Sequence, residues 1–380
     1  DLAALSAATR ARWAAEWADA RSRLDLARGQ PAAALAVLRS VVAYPGPDLT
    51  PLPDALLLRL LPRRAQLAQQ SGQAAEALAA WRQAVQAAER LLPDLPIEDD
   101  AGRSTYRQVL EPVYLGLIQA LLARDSALGD GRVAAGLRAE AVATLEQLRQ
   151  AEMQDYLGDR CAVDAIKGDS AAPVPAGSAV LHVLLLEQRV ELLLQVGQAP
   201  VRRLQHAVPA LQVGLTARAL AARLRNGDDQ HLPLARQLYD WLLRPLEPWL
   251  AAAAVDTLVV VPHGPLRLLG FGALHDGQRY AIEKWAFAST TGLSMTHTGA
   301  PRARRALLLA GLSEPGAVVD QLDAAVVQRL LAATPAPQSV ARGEALGAGL
   351  ATRHLLRSMV PVPASAHAAA ETPMLPDTWR

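Results

Sequence analysis

The chain has 380 residues, a length that suits two domains or three, and 51% of them are hydrophobic, ample for extended cores. Only 4% are aromatic, so those cores must be built from Leu, Ala and Val, a composition that favours closely packed helices. Lys+Arg number 38 against Asp+Glu 37, and the resulting net charge of +1 gives no electrostatic case for nucleic acid or an anionic membrane as a partner.

The one cysteine, Cys161, excludes an internal disulfide and accords with a reducing, cytoplasmic compartment. The longest apolar stretch, residues 248–255, is far short of the roughly 20 residues a membrane span needs. The opening DLAALSAATRARW lacks the basic-then-apolar layout of a signal peptide. It also does not begin with Met, so a fragment or a processed product is expected.

Residues 1–90 read as helical and contain a repeat. GQPAAALAVLRSVV begins at Gly29 and GQAAEALAAWRQAV at Gly72, 43 residues apart. Aligning the glycines pairs Ala34 with Ala77, Leu35 with Leu78, Leu38 with Trp81 and Val42 with Val85. Each unit reads helix, glycine turn, helix, because glycine takes the positive φ of such a turn at low cost. LLPDLPIEDD at 91–100 is a break. Residues 106–154 are again helical, interrupted by LGDGR at 128–132, and form a candidate third unit.

Residues 162–178 read as a loop. In AVLHVLLLEQRVELLLQV, 179–196, the first half reads as a strand and the whole as a helix. Residues 200–249 read as helix with a loop at 226–230; Leu234, Leu238, Leu242 and Leu246 recur every fourth residue and so share one side. Residues 258–261 are an unbroken apolar run closed by Pro262, Gly264 and Pro265, the pattern of a strand covered on both faces. A turn at His275-Asp276-Gly277, a second strand within 280–288 around Ile282, and a third at 306–312 follow. Residues 317–333 and 343–358 read as helices separated by TPAPQS, and 360–380, rich in Pro and Ala, as poorly ordered.

Two resemblances emerge. The glycine-turned units resemble TPR helical hairpins, whose period is about 34 residues; the Pro-rich insertion YPGPDLTPLPD at 44–54 accounts for the excess. The stretch DTLVVVPHGPLRLLGFGALHDGQRYAIEKWAFA resembles the opening of a CHAT domain, the caspase-like domain often joined to TPR repeats in bacteria. Pro262-His263-Gly264-Pro265-Leu266 and Phe271-Gly272-Ala273-Leu274 match its motifs, while Gly270 departs from the usual Pro. AEMQDYLGDRC, LYDWLLRPLEPWL and LLLAGLSEP resemble its flanking segments. The resemblance implies a strand, a turn and another strand at 179–196, and strands near Leu258, Ile282 and Leu307 in one sheet.

The organisation that follows is α plus α/β: a TPR-like helical array at 1–154, a linker and the start of the CHAT-type region at 155–250, an incomplete caspase-like α/β core at 251–345, and a weakly ordered tail at 346–380. A TPR-like array implies a protein or peptide partner.

Peptidases of the CHAT family use a His–Cys pair, in which the imidazole holds the thiol near its thiolate. Both residues belong after the strand at Leu307, but no Cys follows residue 161 and no matching His segment is present. The segment carrying them is expected to be missing between about 333 and 343, and the catalytic residues are unknown. Cys161 reads as an incidental thiol, His263 as a turn residue at a strand end, and His275 as a solvated turn residue. Ser294 and His297 lie three apart without a nucleophile elbow. Trp13, Trp17, Trp241 and Trp249 read as helix-packing residues, and Arg302, Arg304 and Arg305 as a solvated approach to a strand. Phosphate-loop, dinucleotide and metal-ligand motifs are absent, so no cofactor and no metal is expected. The expected function is a protein-interaction and signalling module with a degenerate or truncated peptidase domain. The alternative is a fragment of an active CHAT-family cysteine peptidase.

Overall fold

A computed structural model describes residues 7–41, 52–92, 95, 104–157, 174–175, 177–296, 308–314 and 339–344. The chain divides into two units, Asp1–Thr298 and Gly299–Arg380.

The first unit opens with six helices in three hairpins: α1 (Ala7–Ala27) with α2 (Pro31–Val41), α3 (Asp54–Gln70) with α4 (Ala74–Leu91), and α5 (Glu111–Leu128) with α6 (Arg132–Leu157). Both glycines of the sequence repeat sit in the left-handed region, Gly29 at φ 72° and Gly72 at φ 74°. The turns are also bonded alike: Gln30 N donates to Asp25 O and Gln73 N to Ala68 O, both at 2.8 Å, satisfying the last carbonyls of the first helix. Ala34, Leu35 and Leu38 of α2 are buried, as are Ala77, Leu78 and Trp81 of α4. A π-helical turn, Tyr106–Leu110, leads into α5. Trp81 lies against Gly116 of α5, where a Cβ would stand closer than 3.0 Å to three atoms of the indole.

A five-stranded mixed sheet follows, in the order β3-β2-β1-β4-β5. Its strands are β1 (Ser178–Leu186), β2 (Arg189–Val196), β3 (Arg202–His206), β4 (Thr257–Pro262) and β5 (Ala286–Ser289). β1, β2 and β3 form antiparallel pairs, and β4 runs parallel to both β1 and β5. Residues 179–196 are therefore strand, turn, strand, and the alternative of one long helix is overturned. All nine residues of β1 are buried. Ala179, Leu181 and Val183 face one core, shared with Leu258 and Val260 of β4 and with α7 (Ala210–Arg225), α8 (Leu232–Leu242) and α9 (Glu247–Ala252). Leu184, Leu186 and, from β2, Leu193 face the other core, which is continuous with the helical hairpins. The apolar run at 258–261 is thus an inner strand, and burying Leu258 and Val260 contributes about 1.5–3 kcal/mol each.

Buried charge joins the hairpins to the sheet. Arg203 on β3 donates to Glu191 of β2 at 2.8 Å and to the Leu122 carbonyl of α5 at 2.7 Å, and it reaches Asp125 at 3.1 Å. Asp125 also accepts from Arg138 of α6 at 2.7 Å. Glu191 is fully buried, so this network supplies its counter-charge.

Four sequence readings change. β3 lies where helix was expected; it is a short strand whose Arg203 is held by carboxylates and whose Arg202 lies over the Trp249 ring at 5.4 Å. The segment around Ile282 is a 3-10 turn, Ala281–Glu283, with Ile282 57% exposed, and the strand is confined to β5. The last helix before β4 is broken at Arg244–Leu246, where Pro245 cannot continue α8. In the second unit, β6 (Leu308–Glu314) pairs in parallel with β7 (Ser339–Glu344). Residues 343 and 344 are strand rather than the start of a helix, and the expected elements at 317–333 and 345–380 lie outside the described residues.

The fit of Trp81 on Gly116 generates a test. Gly116→Ala should lower stability by about 1–3 kcal/mol, despite the gain in helix propensity, because the buried indole has no room to withdraw. A denaturant midpoint equal to wild type would contradict this packing.

Candidate functional site

In a sheet with parallel strands, functional groups collect beyond the strand carboxyl ends. Here the parallel pair β1–β4 ends at Leu186 and Pro262, and His263 follows directly. α6 crosses this end and presents Glu146, Arg149 and Glu152 at intervals of three residues, hence on one side. The 3-10 turn Gly264–Leu268 adds Arg267.

His263 Nδ1 accepts the backbone N–H of Leu185 at 3.3 Å. Burial and the nearby Arg149 guanidinium push the imidazole pKa down to about 3, so the ring is neutral with its proton on Nε2. Arg149 donates to Glu152 at 3.0 Å and to the Pro262 carbonyl at 3.4 Å. Glu152 also accepts from Arg267 at 2.9 Å, so one carboxylate serves two arginines. Burial pulls the Arg149 pKa down, and Arg267 adds to that, while the two guanidiniums lower that of Glu152 against its burial.

One turn earlier on α6, Glu146 lies 3.2 Å from His182 Nε2 and accepts from both the backbone N and the hydroxyl of Ser294, at 2.9 and 2.8 Å. Burial raises the Glu146 pKa, but these bonds outweigh it and hold the carboxyl at about 2. Ser294 thus donates to a carboxylate and not to an imidazole; this is an anchoring arrangement rather than a nucleophile with its base. His182 Nδ1 and Arg149 Nε are buried without a hydrogen-bond partner among the described residues.

A second charged knot fixes the turn at 275–277. Lys284 Nζ donates to Tyr239 Oη at 2.8 Å, Glu247 at 2.7 Å and Asp276 at 2.6 Å, which uses all three of its protons. Its partners hold its pKa above the usual lysine range against burial, so it is no amine nucleophile. His275 is buried, not solvated as expected: Tyr280 packs edge-on against it at 4.8 Å, and Nδ1 accepts from Gly277 N at 3.0 Å.

Trp241 and Trp249 pack on the core between the sheet and α7–α9. Trp13 and Trp17 do not pack as expected: they are 62% and 59% exposed, on the side of α1 opposite its buried residues. Cys161, His297, Arg302, Arg304 and Arg305 lie outside the described residues. The sequence reading missed Glu146, Arg149, Glu152 and His182. Their signal was the charge at every third position of α6 and a histidine inside an otherwise apolar strand.

The arrangement is that of a mixed α/β sheet sandwiched between helical layers, with polar groups gathered where its parallel strands end. Residues 232–374 match the family model of the CHAT domain. The match takes in His263, Arg267 and Ser294, whereas Glu146, Arg149, Glu152 and His182 precede it. No curated protein matches the chain. No described helix is long and apolar enough to cross a membrane.

Because the folded pKa of Glu146 is depressed, its stabilisation is present above pH 4.5 and lost as pH falls towards 2. Glu146→Gln should cost about 1–3 kcal/mol at neutral pH, with the gap to wild type closing between pH 4.5 and 2. A gap that is constant with pH, in denaturation melts, would contradict the Ser294 and His182 bonds.

Proposed function

We propose that the chain is a protein-interaction and signalling module. In this reading the glycine-turned hairpins are a TPR-like array that takes a protein or peptide partner. The CHAT-type region is a caspase-like fold, degenerate or truncated, that performs no thiolate catalysis of its own. One observation carries the reading: residues 232–374 contain five histidines but no cysteine, and a caspase-like peptidase needs the thiolate. The described histidines of that region support it further. His263 is neutral, with Nδ1 engaged by the backbone, and His275 is enclosed in its turn. The single cysteine accords with a cytoplasmic location.

A second reading draws on the same family match: the chain is part of an active cysteine peptidase whose His–Cys pair lies outside these residues. A fluorogenic peptide library with a thiol-reactive peptidyl probe tests the first reading on this chain. We expect no turnover, and any labelling confined to Cys161 without consequence. Turnover that Cys161→Ala abolishes would overturn it.

A further inference from the structure

α1 buries one side and leaves the other uncovered. Its buried positions, among them Ala15, Ala18, Asp19, Ser22 and Asp25, follow helical spacing and pack towards α2 and α3. Trp13, Trp17 and Leu24 lie on the opposite side and are 62%, 59% and 44% exposed. The positions between and beyond them in the same stripe, Ala20 and Ala27, are small and exposed. The result is a row of large and small apolar side chains along about four turns, facing away from the hairpin.

The flanks of this row are basic. Arg12 and Arg28 are exposed beside it. Arg21 and Arg23 rise from the rim, each bonded to a buried carboxylate of the same helix, Asp25 and Asp19. Asp19 is already shared with Arg59 and Arg63 of α3. Of the nearby acids, Glu16 leans on Arg59 at 3.3 Å, and Asp19 and Asp25 are buried. Among the described residues, Arg12 and Arg28 therefore carry the exposed charge beside the row, while Arg59 and Arg63 turn to Asp19 on the buried side.

The molecule also shows what such an indole packs on. Trp81, on the inner side of α4, fills the notch that Gly116 leaves in α5. Trp13 and Trp17 have the same chemistry on a helix of the same kind of hairpin, without a helix against them among the described residues.

From the exposed row and its basic rim we infer that this side of α1 docks an amphipathic helix of a partner protein, one with small residues in its apolar stripe and carboxylates on its flanks. The inference rests on the proposed partner-binding role of the hairpins and names the surface. Alternating large and small residues along a helix axis suit ridge-into-groove packing by another helix, and the arginine rim selects acidic flanks. Exposed aromatic residues backed by arginine are the usual anchors of such contacts.

Fluorescence anisotropy on the full chain tests this with two labelled synthetic helical peptides that share one Leu/Ala/Gly stripe and carry either Glu or Lys on both flanks. The Glu peptide should bind at least about 10-fold more tightly than the Lys peptide, and more weakly as salt rises. Trp13→Ser/Trp17→Ser should reduce binding by at least about 10-fold with an unchanged circular dichroism spectrum. Arg12→Glu/Arg28→Glu, which leaves the tryptophans in place, should shift preference towards the Lys peptide.

No binding of the Glu peptide to wild type would overturn the proposal. So would tryptophan-dependent flotation with anionic vesicles or tryptophan-dependent binding of single-stranded RNA in place of the peptide. A dimer in sedimentation that the double tryptophan variant abolishes would assign the row to a second copy instead. Peptide binding unaffected by that variant would sink the stripe and leave the array reading standing. Binding at the stripe accompanied by Cys161-dependent turnover would sink the non-catalytic reading and leave the stripe.

Discussion

The structure of the first unit depends on a sheet whose inner strands are apolar on both faces. β1 has no residue at the surface, so it needs cover twice. α7, α8 and α9 cover the side of Leu181, Val183, Leu258 and Val260. The side of Leu184, Leu186 and Leu193 is covered by the hairpin layer, through the core that includes Leu145 and Leu148 of α6. Three leucines at about 1.5–3 kcal/mol each contribute on the scale of the net stability of an ordinary domain, about 5–15 kcal/mol. The helical hairpins and the strands are accordingly one folded body, and the last hairpin is part of the sheet's packing.

Apolar contact alone would let α6 slide along the sheet, since it has no direction. Direction comes from the polar inclusions in the same interface. Glu146 meets His182, Arg149 meets the Pro262 carbonyl, and Arg138 meets Asp125 and the Val201 carbonyl. Each is made at one register only. Removing one member of a buried ion pair such as Arg138–Asp125 leaves an uncompensated charge, at a cost of about 3–5 kcal/mol, so a shifted register is strongly disfavoured even where the apolar area is conserved. The role of these charges is to choose one docking geometry, and the leucines supply the cohesion.

The sequence disclosed what rests on local chemistry. Gly29 and Gly72 mark turns because few other residues tolerate a φ near 70°, and the hairpins around them follow. The run at 258–261 disclosed its double burial because a buried strand has no polar side to alternate with. What escaped notice depends on partners distant in sequence. β3 reads as polar because Arg203 is neutralised by Glu191 and Asp125, 12 and 78 residues away. The 179–196 segment was ambiguous between helix and strand until a pairing partner was known, as buried runs of either kind are uniformly apolar. The polar cluster was hidden for the same reason: Glu146, Arg149 and Glu152 look like a solvated face of α6 until His182, Pro262 and Ser294 are brought against it.

The position of that cluster gives it mechanical weight. α6 is the last helix of the hairpin layer, yet its side chains reach His182 within β1, the end of β4 and, through Ser294, the segment at 290–296. Moving α6 by even one residue along its axis, a rise of about 1.5 Å, would separate Glu146 from Ser294 and Arg149 from Pro262, because hydrogen bonds weaken steeply beyond ordinary length. A partner that displaced the hairpins would have to offset those losses at the strand ends with its own differential affinity. The position of the last hairpin and the geometry of the sheet's carboxyl edge are therefore fixed together through a few named side chains.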